Sequence, residues 1–145
     1  MDTVEVLLRE KGREVVSASP GASVLELARL MNERRIGSVL ILEGTTLVGI
    51  VTERDLLTKV VAQGRDPAAL RVREIMTTDV VVVEAGTPVG QAMRTMNERR
   101  CRHLPVMRGR EVAGIISIGD CNRWYSRDQE YTVRHLTDYI QGNYR

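Results

Sequence analysis

Thr52 and Asp55 in "GIVTERDL", and Ser117 and Asp120 in "GIISIGDC", place a hydroxyl three residues ahead of a carboxylate twice, 65 residues apart. Each pair follows an apolar run and precedes a helical pattern, so it falls where a strand ends and a helix begins. Two chemistries are open to such a pair. Ser/Thr-x-x-Asp is a capping pattern that satisfies unpaired amides at a helix start, for about 1 kcal/mol. Those same amides, with the helix dipole, also attract an anion such as phosphate. A carboxylate one turn in can accept both hydroxyls of a ribose, as in dinucleotide folds. Phosphate and ribose together outline a nucleotide.

The elements that must position these pairs are themselves repeated. "MNERR" at Met31–Arg35 returns as Met96–Arg100 on the same offset, which also aligns Gly21 with Gly86, Val24 with Val89 and Gly44 with Gly109. A long period occurring twice indicates two small α/β modules packed together, not an open array. Ahead of the repeats, "TVEVLLREKG" predicts a short amphipathic helix bearing Val4, Leu7 and Leu8, a lid or interface piece stopped by Gly12. "EVVSASPG" then reads as a strand, and Ser23 with Glu26 forms a capping box for a helix carrying Val24, Leu27, Ala28 and Met31. In the second copy Thr87 is the candidate cap, with Pro88 at the first helical position and Val89, Ala92, Met93 and Met96 as the buried stripe. Hairpins follow in both copies, "SVLILE" to "LVGIVT" and "HLPVM" to "EVAGIIS", each leading into a second helix. One repeat therefore reads strand, helix, strand, strand, helix. "RDPAALRVREIMTTD" reads as a polar connector with a short helical turn.

Composition narrows the classes. The net charge of +2 is spread along the chain without a basic stripe, which leaves no footprint for nucleic acid. There is no Phe and one Trp among 145 residues, so the core must be aliphatic. A chain of this length buries roughly 68–70% of its unfolded surface against ~60% for a lone repeat, so the halves are expected to share one core. No run approaches the ~18 apolar residues of a membrane span, and Asp2 and Glu5 do not suit a signal peptide, so a cytoplasmic chain is expected. Cys101 and Cys121 lack metal-site spacing and read as free thiols, with no metal required. Phosphate loops, dinucleotide fingerprints and nucleophile elbows are missing from the sequence, and His103 and His135 have no triad company, so an enzyme is not expected.

The doubled pattern, "RIGSVLILEGTTLVGIVTERD" in the first copy and "RHLPVMRGREVAGIISIGD" in the second, resembles a tandem pair of CBS domains, the Bateman module, over nearly the whole chain. The start "VLLREKGREVV" and the ending "ISIGDCNRWYSRDQEYTVRHLTDYI" further resemble small stand-alone bacterial proteins of that kind. The resemblance implies an α/β fold of two βαββα repeats about a pseudo-twofold axis, with an N-terminal helix and an extended C-terminal helix. Residues 1–66 would hold the N-terminal helix and first repeat, and 67–145 the connector, second repeat and long C-terminal helix, the two forming one compact module. It implies regulatory, non-catalytic binding of AMP foremost, or ADP, ATP, NAD(H) or S-adenosylmethionine, in two clefts.

Carried over by position, Asp55 and Asp120 would hold riboses, with Thr52 and Ser117 near ribose or phosphate and Arg54 a phosphate partner in the first cleft. Arg102 and His103 would bind phosphate in the second cleft, making it the tighter one. Val16, Ile36 and Gly37 would contact the adenine of the ligand on Asp120, and Val81 and Cys101 that of the ligand on Asp55. Gly119 where the first copy has Arg54, and a second strand without proline in the first copy, make the clefts unequal. The family also implies a homodimeric disc of four repeats, or a higher even oligomer. The competing reading is a ligand-independent interaction scaffold whose last helix, with Trp124, Tyr131 and Tyr139, grips an unknown protein partner.

Overall fold

The computed structural model describes residues 2–12 and 14–140, with 130–140 described as helical backbone only. The first repeat comprises β1 (Ser17–Ala18), α2 (Val24–Arg34), β2 (Ser38–Glu43), β3 (Thr46–Thr52) and α3 (Glu53–Leu56), which runs on as a π-helical stretch, Leu57–Val61. The second comprises β4 (Val83–Glu84), α4 (Val89–Arg99), β5 (His103–Arg108), β6 (Glu111–Ser117) and the long α5 (Ile118–Ile140). α1 (Val4–Lys11) precedes both. The result is the expected α/β pair of βαββα repeats. Each repeat forms a three-stranded sheet with one parallel and one antiparallel pairing, and β2 and β5 lie centrally. The first strand of each repeat is only two residues long, shorter than "EVVSASPG" suggests.

Local signals explain most boundaries. Ser23 Oγ accepts the Glu26 N–H at 3.1 Å and caps α2. Both "MNERR" segments end their helix on a left-handed arginine, Arg35 and Arg100, each at φ 53°. The second cap differs from the Thr87 expectation. Pro88 is the capping residue and no side chain serves; the first amide, Val89 N–H, donates instead to Asp2 O from the chain's start. Backbone from another element has satisfied the orphan donor, so a side-chain cap is unnecessary.

The expectation of one shared core is corrected. Two aliphatic clusters form, one per repeat, and each is completed by a segment that precedes the other repeat. α1 adds Val4, Leu7 and Leu8 to the second repeat's cluster, while the connector adds Leu70, Val72 and Ile75 to the first. The crossings use matching backbone bonds: Val4 N–H to Thr87 O and Val72 N–H to Ala22 O, Glu5 N–H to Ala85 O and Arg73 N–H to Pro20 O. Burying each such side chain is worth about 1.5–3 kcal/mol. The connector is therefore core material along one face, not a polar linker, and α1 is a bolted core element with only its end near a cleft.

Two sequence features change role. Trp124 Nε1 donates to Asp2 Oδ2 at 2.6 Å, and its half-buried ring packs on the second cluster. The side chains of Tyr131, His135 and Tyr139 lie outside the described residues. Cys121 is fully buried, and burial followed by the nearby Asp120 charge pushes its thiol up to about 11.

Candidate functional site

β3 ends on Thr52, whose extended backbone starts α3, and the side chains of Thr52 and Asp55 close on each other. The Thr52 N–H donates to Asp55 Oδ2 at 2.9 Å, and the Asp55 N–H donates to Thr52 Oγ1 at 3.3 Å. Lys59, one turn on, donates to Asp55 Oδ1 at 3.0 Å and to Ile75 O at 2.9 Å. The second copy repeats the box: Ser117 N–H to Asp120 Oδ2 at 2.8 Å and Asp120 N–H to Ser117 Oγ at 3.1 Å. Both hydroxyl-x-x-Asp pairs are helix caps in this structure. Capping uses part of each carboxylate, which has about four lone-pair sites in all.

What surrounds the caps differs. A cavity of about 540 Å³ opens beside Thr52, Arg54 and Asp55. Its far wall comes from the second repeat: Arg99, Arg100, Cys101, Arg102 and His103, running from the end of α4 into β5. The connector supplies the third side with Thr77, Asp79, Val80 and Val81, and Gly37 and Ile50 complete the first repeat's part. Four arginines face Glu53, Asp55 and Asp79 there, so the cavity carries a surplus of positive charge suited to an anionic ligand. Its volume lies within the ~300–1,000 Å³ range of small-molecule sites.

Arg102 and His103, assigned from the sequence to the Asp120 cleft, line the cavity that holds Asp55, while His103, paired across the sheet with Ser117, also feels the Asp120 charge. Gly37, also assigned to the Asp120 ligand, lines it too; a β-carbon there would lie 3.6 Å from His103 Nε2. Gly37, just ahead of β2, and His103, at the start of β5, approach each other there, so adjacency along β5 does not say which cleft a side chain faces. Thr52, Arg54, Asp55, Arg102, His103, Gly37, Val81 and Cys101 are thus brought together. Ile36 packs on the first core, and Val16 is half-buried and does not line the cavity. Arg99, Arg100 and Asp79 were missed. The direct continuation of Arg99 and Arg100 into Arg102 was a signal that they share its surroundings.

Asp120 sits against a separate groove of about 650 Å³ between α1 and α5, with Leu7, Glu10, Lys11, Arg123 and Arg127. Two cations hold its carboxylate: Lys11 Nζ at 2.9 Å on Oδ2 and Arg123 Nη2 at 2.5 Å on Oδ1. Burial alone would raise the Asp120 pKa; the Ser117 amide and hydroxyl and the Lys11 ammonium outweigh it and hold the carboxyl below its ordinary value. His103 is lowered, first by burial and then by the Lys11 charge, against the pull of Glu53 and Asp120. Burial raises the Cys101 thiol, with Arg99 opposing.

Comparison with known proteins identifies the repeats. The family model for the CBS domain matches twice, at residues 11–62 and 72–127. A CBS domain-containing protein of Arabidopsis thaliana, the mitochondrial CBSX3, is 30% identical over 98% of this chain and 73% of its own length. The solved structure of a protein with CBS domains from Burkholderia ambifaria MC40-6 superposes with a TM-score of 0.84 at 40% identity, covering 88% of this chain and 96% of that one. The CBS domain pair of protein MJ0100, solved with 5-methylthioadenosine and S-adenosyl-L-methionine, gives a TM-score of 0.79 at 25% identity, over 88% and 98% of the two chains.

Proposed function

The chain belongs to the CBS-domain family as a tandem pair, and from that premise we propose that it is a regulatory module binding an adenine nucleotide in the cavity beside Asp55. The observation that carries this reading is the meeting of the Thr52–Asp55 cap with Arg99, Arg100 and Arg102 of the opposite repeat in one cavity. Asp55 offers acceptors to ribose hydroxyls, and the arginines and Arg54 offer charge-assisted bonds to phosphate, which exceed neutral ones in strength. Val81 and Cys101 give the half-buried apolar wall that an adenine ring needs.

The adenosyl ligands in the MJ0100 complex support the adenosine half of the proposal. The arginine surplus supports a phosphate-bearing member, with AMP, ADP, ATP or NAD(H) ahead of the sulfonium cation of S-adenosylmethionine. No group in the cavity is assigned a catalytic part, and binding alone is the proposed activity. Assembly into an even oligomer belongs to the same reading, because Leu57 and Val61 are 59% and 70% exposed on one helical stretch.

A melting scan against AMP, ADP, ATP, NADH and S-adenosylmethionine tests it. A ligand at one hundred times its dissociation constant should add about 2.7 kcal/mol. A shift of several degrees with the phosphate-bearing ligands is expected; no shift with any of the five at millimolar concentration contradicts the reading.

A further inference from the structure

We infer that Lys11 closes the second cleft, so that this chain takes one nucleotide per molecule at Asp55 and none at Asp120. The inference rests on the nucleotide reading of the Asp55 cavity and goes beyond it by assigning stoichiometry to one side chain.

Comparison of the two repeats carries it. Each aspartate has a cation from its own helix, Lys59 on Asp55 and Arg123 on Asp120. Asp120 alone also takes a cation from the opposite leader, the Lys11 ammonium at 2.9 Å. The same ammonium donates to Ile115 O at 3.1 Å. In the first repeat the equivalent strand position, Ile50, is paired by backbone: Ile50 N–H to Thr77 O and Thr77 N–H to Ile50 O, at 3.0 and 2.9 Å. The connector then continues past Thr77 as the cavity wall at Asp79, Val80 and Val81.

In the second repeat the leader is still helical at this point, and a side chain stands where backbone passes in the first. That substitution adds a second positive charge, on Oδ2, to the Asp120 carboxylate whose acceptors a ribose would need. Val4, Leu7 and Leu8 anchor the helix in the core, so Lys11 is held in place by more than its own ion pair. A nucleotide entering at Asp120 would have to displace it, leaving Ile115 O without this donor and Asp120 Oδ2 with the Ser117 N–H alone, a cost beyond that of the cation each aspartate takes from its own helix.

Isothermal titration calorimetry with AMP and with ATP on the full chain tests the inference, using the parent, Lys11→Met and Lys11→Gln. Methionine keeps the packing stem and glutamine keeps polarity, so failure of one variant to fold leaves the other. The parent should bind one nucleotide, weakened about tenfold to a hundredfold in Asp55→Ala and unchanged in Asp120→Ala. Either Lys11 variant should bind two, the second lost on adding Asp120→Ala. Two sites in the parent, a single parent site that Asp120→Ala removes, or unchanged stoichiometry in the Lys11 variants overturns the closure while leaving nucleotide binding intact. No binding by any of the proteins overturns the closure and the nucleotide reading together.

Discussion

Leu8 Cδ2 lies 2.7 Å from the point where a β-carbon on Gly114 would stand. The crossing leader is thus packed onto the second sheet at a position only glycine leaves open. The first sheet repeats the device, with Met76 Sδ 2.7 Å from the same point on Gly49 and Thr77 O at 3.1 Å. Close approach of neighbouring elements, and not a turn, explains why Gly-Ile opens both repeated motifs.

Gly114→Ala should therefore force the buried Leu8 to move and cost about 1–3 kcal/mol, as overpacking does. Gly49→Ala should also destabilise, since the Thr77 backbone leaves little room beyond the methionine. Urea melts of both variants check this. An unchanged midpoint for Gly114→Ala would mean that α1 is not held against β6.

The repeated caps give a second expectation. Thr52→Ala and Ser117→Ala each remove the oxygen that accepts the following aspartate's N–H, and each should cost about 1 kcal/mol in the same melts. No loss in either would show that the hydroxyls are not capping their helices.

The repeat, its element order and both caps were legible because they depend on residues close in sequence: Ser23 with Glu26, Thr52 with Asp55, Ser117 with Asp120. The crossing of the leaders was not. Val4, Leu7 and Leu8 match Val72, Ile75 and Met76 on an offset of 68, not 65, so sliding the chain by its main period hides their equivalence. Lys11 bonds a carboxylate 109 residues away, and no local pattern announces such a partner. Arg102 and His103 were found as cations, but their side of the meeting between repeats is set by how two sheets pack, which strand periodicity does not encode.

Acid should weaken the fold through Asp120. Its folded pKa is lowered relative to the unfolded chain, so its contribution is present above the ordinary carboxylate range and is lost as pH falls through the folded value. Lys11→Met removes one cause of that lowering, so the variant should be less stable than the parent at neutral pH, with the gap narrowing toward strongly acidic pH. Urea melts across that range measure it; a gap that stays constant with pH would show that Lys11 does not hold the carboxylate.

His103 should titrate below the ordinary histidine value of about 6.5, because burial and the Lys11 charge both lower it. Its neutral form is favoured in the fold, so its contribution is present above that ordinary value and is lost as pH falls through the folded pKa. If the imidazole reaches phosphate, nucleotide affinity should rise only below 6.5. NMR titration of the ring protons reads the pKa directly, and Lys11→Met should raise it. A His103 pKa above 6.5 in the parent would contradict this.

Light scattering at micromolar concentration should report a dimer or an even multiple, and Leu57→Glu with Val61→Glu should lower the mass. A strictly monomeric parent would leave those exposed side chains without the proposed role.

The most direct measurement of nucleotide binding beside Asp55 is calorimetric titration of AMP and ATP into the parent and Asp55→Ala, at a temperature where both are folded. Loss of hydrogen bonds to a charged group is worth about 1.5–3 kcal/mol, so affinity should fall about tenfold to a hundredfold, whereas Asp120→Ala should leave it unchanged. Equal affinity in the parent and Asp55→Ala would mean that Asp55 is a helix cap and no more.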